Sequence, residues 1–128
     1  MSKQCGVLDL GFKASTTLSA KQYYIVKLSG SGTPEGVTLS SAVTDVSIGV
    51  LQNEPLEQGA EAVVRVLGTT KVICGTPIAI GQFIVPDASG KAYYSQADKD
   101  FCIGIALETG SAANDLIEIM LTHFKASI

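Results

Sequence analysis

The sequence of 128 residues has no tryptophan, one histidine (His123) and one arginine (Arg65). Its charged residues amount to 16%, where an average soluble chain carries about 25%. Each shortage excludes something. With a net charge of −3 and a single arginine, no basic stripe exists to neutralise phosphates, so no nucleic-acid partner is expected. The cysteines Cys5, Cys74 and Cys102 are odd in number and form no CxxC pair. They read as buried thiols of a chain made in a reducing cytoplasm, not as a disulfide framework. One histidine and three scattered cysteines do not make a tetrahedral zinc site, so neither metal nor cofactor is expected.

Long apolar runs are missing too. The longest charge-free run, Val72–Pro86, covers 15 residues and is interrupted by Gly75, Pro77, Gly81 and Pro86. A spanning helix takes about 20, so no membrane is expected as a partner. Met1–Ser15 carries Lys3, Asp9 and Lys13 and has no apolar centre, unlike a secretory signal. No stretch keeps a helical period over three turns. No repeat of 20 to 50 residues is visible, which argues against a solenoid or propeller.

What is present is apolar. Hydrophobic residues make up 46% and mean hydropathy is +0.32, so the chain is not disordered. Its length suits one domain. With so few charges, much of the outer surface must be Ser, Thr, Gly or apolar. Such a surface on a stable protein usually meets a partner.

Turn-rich clusters lie at Ser29–Gly36, Gln52–Glu61, Gly68–Thr70, Pro86–Lys91, Ser95–Asp100 and Thr109–Asp115. Short β-branched and aromatic runs lie between them: Tyr23–Leu28, Val46–Leu51, Ala62–Leu67, Lys71–Cys74, Pro77–Val85, Ala92–Tyr94, Cys102–Leu107 and Leu116–Leu121. This pattern predicts an all-β sandwich or barrel of short strands. Alternation supports it: Val46, Ile48 and Val50 form one face of a strand, as do Ile103, Ile105 and Leu107, and Ile117, Ile119 and Leu121. The opposite faces are small or apolar more often than charged. Gly49 and Gly104 leave room for a close neighbouring backbone, and Gly81 suggests a bulge or a barrel corner. Ser40–Asp45 and Ser95–Phe101 could each make one capped helical turn. Residues 1–20 differ from the rest and read as an extended N-terminal arm with one edge strand, dotted with Leu8, Leu10 and Phe12. Residues 21–128 read as a single β domain.

Catalytic chemistry finds little footing. A Cys–His hydrolase would have to pair a cysteine with His123, yet no nucleophile turn surrounds any of the three. Gly30, Gly32 and Gly36 are one residue off the dinucleotide fingerprint. Asp98-Lys99-Asp100 is followed by Cys102 and Ile103, where a calcium loop needs a ligand and a glycine. Ala97-Asp98-Lys99 loosely matches a lipoyl hairpin, but Asp100 breaks the match. Tyr23-Tyr24 and Tyr93-Tyr94 lack the interleaved cations of a single-strand binder. No catalytic residue is assigned.

The order of segments from Ile48 to Leu121 resembles the capsid decoration, or cement, proteins of tailed phages. The matching elements are Ile48-Gly49-Val50, the strand Gly59–Val66 with Gly68, and Ile78–Phe83. Asp87 to Ala92, Ile103–Leu107 and Ala112–Ile119 follow. Gln82 departs from the family, which often has Asp there. The resemblance implies a small β-barrel or β-tulip-like domain without enzymatic activity. It further implies a homotrimer on the outer capsid surface of the virion, bound to the major capsid protein of an expanded head. Leu8, Leu10 and Phe12 of the arm are then the candidate capsid-binding residues. The competing reading is a β-barrel carrier or small-ligand-binding module without catalysis.

Overall fold

The computed structural model describes residues 6–29, 36–96 and 100–125. Nine strands follow one another: β1 (Gly6–Ala14), β2 (Ile25–Ser29), β3 (Gly36–Leu39), β4 (Ser47–Leu51), β5 (Glu61–Ile73), β6 (Phe83–Pro86), β7 (Ala92–Tyr94), β8 (Phe101–Ala106) and β9 (Leu116–Lys125). No helix occurs among the described residues. The all-β expectation holds, but closure takes a different form from one small barrel.

The strands form one sheet in the order β1-β3-β2-β4-β5-β9-β8-β6-β7, with β1 also paired to β5. That extra pairing closes a ring of five strands: β1, β3, β2, β4 and the first half of β5. β5 bends at Gly68, where φ is 101°, and its second half leaves the ring to pair with β9. The remaining strands β9, β8, β6 and β7 repeat the first circuit. A parallel bridge between Cys74, just past β5, and Ala92 of β7 returns it to its start. The sheet therefore makes two rings that share β5.

The two rings correspond through most of their pairings, apart from register shifts in β1 beyond Asp9 that the second ring lacks. In the first, Ala14 meets Val37 in parallel; in the second, Cys74 meets Ala92 in parallel. Phe12↔Ala62 and Leu10↔Val64 correspond to Val72↔Ile117 and Thr70↔Ile119. Val50↔Arg65 and Leu51↔Val64 correspond to Ile105↔Met120 and Ala106↔Ile119. Loop hydrogen bonds follow suit: Leu18 N to Pro55 O (2.9 Å) matches Ile78 N to Gly110 O (2.9 Å), and Tyr23 N to Leu51 O (2.7 Å) matches Gly81 N to Ala106 O (2.8 Å). The unusual backbones correspond as well. Tyr23 (φ 72°) stands where the second ring has Gly81 (φ 88°), and Gly59 (φ 87°) where it has Asn114 (φ 72°). The chain is an internal duplication with a spacing of 55–60 residues, longer than the repeats of a solenoid or propeller.

Each ring is filled by equivalent side chains. Ala14, Leu18, Val26, Val37, Leu51, Ala62 and Val64 fill the first. Their counterparts Cys74, Ile78, Ile84, Ala92, Ala106, Ile117 and Ile119 fill the second. The second core also takes in Ile25 and Val50 from the outer face of the first ring, both fully buried. Ile25 N donates to Gly90 O (2.8 Å) in the β6–β7 turn. β2 and β4 are thus apolar on both faces: Val26 and Leu51 point into their own ring, Ile25 and Val50 toward the next.

Gly49 and Gly104 meet the expectation of close approach. A Cβ on Gly49 would strike the Arg65 carbonyl, and one on Gly104 would strike the equivalent Met120 carbonyl. Other boundaries differ. Ala62–Leu67 and Lys71–Cys74, expected as two strands, belong to the continuous run of β5 and its end, because Gly68 bends the strand without ending it. Pro77–Val85 is strand only from Phe83 onward. Gly81 lies in a turn in which Ala79 N donates to Gln82 Oε1 (2.8 Å), so it is neither a bulge nor a barrel corner. Ser40–Asp45 forms no helix. The Asp45 carboxylate accepts from Ser41 N (2.8 Å) and Ala42 N (3.1 Å) and closes a turn instead. The one-turn helix expected at 95–101 lies partly outside the described residues. Within the segment expected as an arm, Gly6–Ala14 is the first strand of the first ring.

Candidate interaction surface

The residues singled out for chemistry are occupied structurally. His123 Nε2 lies 2.7 Å from the carbonyl of Ile48. Cys74 is buried inside the second ring, and burial, with the charge of Asp115 behind it, pushes its thiol up to about 11. Such a thiol is no nucleophile near neutral pH. Cys102 is buried beneath Phe83 and Phe124. Cys5, the loop 30–35 and Ala97-Asp98-Lys99 lie outside the described residues. Among the described residues no three His, Cys, Asp or Glu side chains cluster as metal ligands would. Tyr93 and Tyr94 stack at 4.8 Å, and the Lys21 ammonium sits 4.9 Å from the Tyr24 ring centre.

The three arm residues divide. Phe12 packs against the core of the first ring, whereas Leu8 and Leu10 are 41% and 39% exposed beside Val7 at 70%. β1 is held to β5 by Arg65, whose Nε and Nη2 reach Asp9 Oδ1 (2.8 Å) and Oδ2 (3.2 Å). The hydrogen bond to Asp9 raises the pKa of this guanidinium.

The outer faces of the two rings differ sharply in chemistry. Across the first ring runs the ladder Ile25↔Val50↔Arg65↔Asp9. The equivalent ladder across the second is Phe83↔Ile105↔Met120↔Thr69. Lys27, Thr38 and Ser47 of the first face become Val85, Tyr93 and Cys102 of the second. Val43, from the β3–β4 turn, covers one end of this apolar face, over Val85 and Cys102. Phe83 and Phe124 meet edge to face at 4.9 Å. At the other end Met120 is 41% exposed and Leu107 36%. Sequence reasoning assigned these residues to strands without singling them out. The available signal was the apolar character of both faces of Leu116–Leu121.

A cavity of about 460 Å³ opens at the end of the second ring, lined by Pro77, Ile78, Gln82, Tyr94 and Thr109. Its counterpart in the first ring carries Pro55 in place of Gly110 and Tyr24 in place of Gln82. The loop before β2 is also two residues longer, since Leu18 to Tyr23 replaces Ile78 to Gly81.

Comparison with known proteins agrees with this architecture. A family model described as phage cement protein matches residues 3–121. The fold is similar to that of the head fiber gp8.5 N base of bacteriophage phi29. The TM-score is 0.72 and the identity 15%, over 94% of this chain and 98% of that one. No curated protein matches.

Proposed function

This chain belongs to the phage cement protein family, and on that premise we propose that it is a non-enzymatic head protein that binds the outer surface of the expanded capsid. In this reading it acts as a trimer, bridges subunits of the major capsid protein and stabilises the shell. A protein that binds only the expanded lattice stabilises that lattice by mass action, without chemistry. The family match over residues 3–121 carries the reading. The surface supports it: 16% charge and several large exposed apolar side chains suit a protein that meets other proteins. Leu8 and Leu10 on β1 are the proposed capsid contacts, with Phe12 anchoring that strand in its own ring. Purified protein added to expanded heads that lack it should bind saturably and raise the temperature at which they open. Heads that neither bind it nor gain stability would overturn the reading.

One observation favours a second reading. The 460 Å³ cavity lies within the roughly 300–1,000 Å³ range of small-ligand pockets. A small-ligand module would show a rise in melting temperature with a ligand that fills this cavity. Filling it by Ala79→Trp, at an exposed lining position, would abolish that rise without affecting head binding.

A further inference from the structure

We propose that the outer face of the second ring, centred on Ile105, Leu107 and Met120, is the surface through which this chain associates with a second copy of itself. The proposal deepens the reading of a self-associating head protein and rests on it. Its ground is the duplication. In the first ring two positions of the corresponding face are covered within the chain: Ile25 and Val50 are fully buried in the core of the second ring. In the second ring the same ladder positions, Phe83, Ile105 and Met120, follow the same register but meet no third ring.

The exposed end of the second face is not what water would select. A sheet face open to solvent is normally polar. Yet the first face has Lys27, Thr38, Ser47 and Arg65 where the second has Val85 and Cys102, both fully buried, the half-buried Tyr93, and Met120, which is exposed. Val43 accounts for only one end of that apolar face. Met120 at 41% and Leu107 at 36% exposure leave the other end without cover. The occupant follows from the interface already present: a ring of this fold covers this face in the first half of the molecule, and a second copy brings another such ring. Ile105, Leu107 and Met120 carry no charge, and the neighbouring Glu118, which pairs across the sheet with Lys71, is buried.

Sedimentation of the full chain tests the proposal. Two variants place a charge on the patch, Met120→Arg, which restores the first ring's residue, and Leu107→Lys. Leu56→Lys, at a 68% exposed position in a loop of the first ring, is the control. Wild type and control should associate at micromolar concentration. Both patch variants should associate at least about tenfold more weakly, as for an unpaired charge placed in an interface. Circular dichroism should show all of them folded, and if Met120→Arg does not fold, Leu107→Lys decides. A wild type that stays monomeric to about 100 µM, a hundred times a micromolar Kd, would overturn the proposal. Patch variants that associate like wild type would overturn it too, as would a control that dissociates with them. Head binding measured in parallel separates the two readings. Failure of self-association with head binding intact removes this proposal and leaves the cement reading, and the converse outcome removes the cement reading alone.

Discussion

The two rings have the same pairings, the same loop hydrogen bonds and interchangeable cores, yet they make different surfaces. The first ring encloses Leu18 and buries Ile25 and Val50 of its outer face in the second. The second encloses Ile78 in the same place and leaves part of its outer face open. The fold is therefore insensitive to what the outer faces carry. A charged pair, Arg65 with Asp9, and a neutral one, Met120 with Thr69, sit at the same rung, although the first ladder shifts register just beyond it, between Leu8 and Asp9, and the second does not. The interior and the bending of strands determine the ring.

If the rings are equivalent, matched substitutions should cost alike. The largest effect is expected from emptying the centres. Leu18→Ala and Ile78→Ala should each destabilise by about 2–5 kcal/mol in chemical denaturation, and a difference between them beyond about 2 kcal/mol would break the equivalence. Next come the close approaches. Gly49→Ala and Gly104→Ala each drive a methyl against a strand carbonyl and should cost about 1–3 kcal/mol. A neutral result at either would show that its strand can shift aside.

A smaller effect sharpens where the rings diverge. Hydrogen bonding from the backbone of Ser41, together with Lys27 at 3.0 Å, lowers the Asp45 pKa. A lowered pKa adds stability that is complete above the unfolded value, near pH 4, and lost as pH falls through the folded one. Asp45→Asn should therefore cost about 1 kcal/mol at neutral pH and flatten the acid side of the stability profile. An unchanged profile would rule out this carboxylate as its source. The smallest effect is expected at Gly59. Asn114 already occupies the equivalent left-handed position, so Gly59→Asn should stay within about 0.5 kcal/mol, while Gly59→Ala should cost about 1 kcal/mol.

Much of the β class was legible in the sequence because alternation and turn residues are local signals. Ala92–Tyr94 is a strand as expected, and Gly49 and Gly104 admit neighbouring backbones as expected. The duplication was hidden because its loops differ in length. Ala14 and Cys74 lie 60 residues apart, Val26 and Ile84 58, and Val37 and Ala92 55, so no single period runs through the chain. Few identities survive, among them Ser40 with Ser95, Asp45 with Asp100, Ile48 with Ile103 and Gly49 with Gly104. Core positions conserve volume and burial instead, as Leu18 and Ile78 do. The apolar outer face was illegible for a related reason. Phe83, Ile105 and Met120 come from three strands, and only the register places them in one row.

Met120 is the only methionine besides Met1, which makes the central claim directly measurable. Peroxide converts an accessible methionine to its sulfoxide, and the rate follows exposure. In dilute free protein Met120 should oxidise readily, and in protein assembled on heads it should be slowed at least about tenfold. Equal rates in the free and head-bound protein would show that the second ring's outer face stays open after assembly, and would contradict the account.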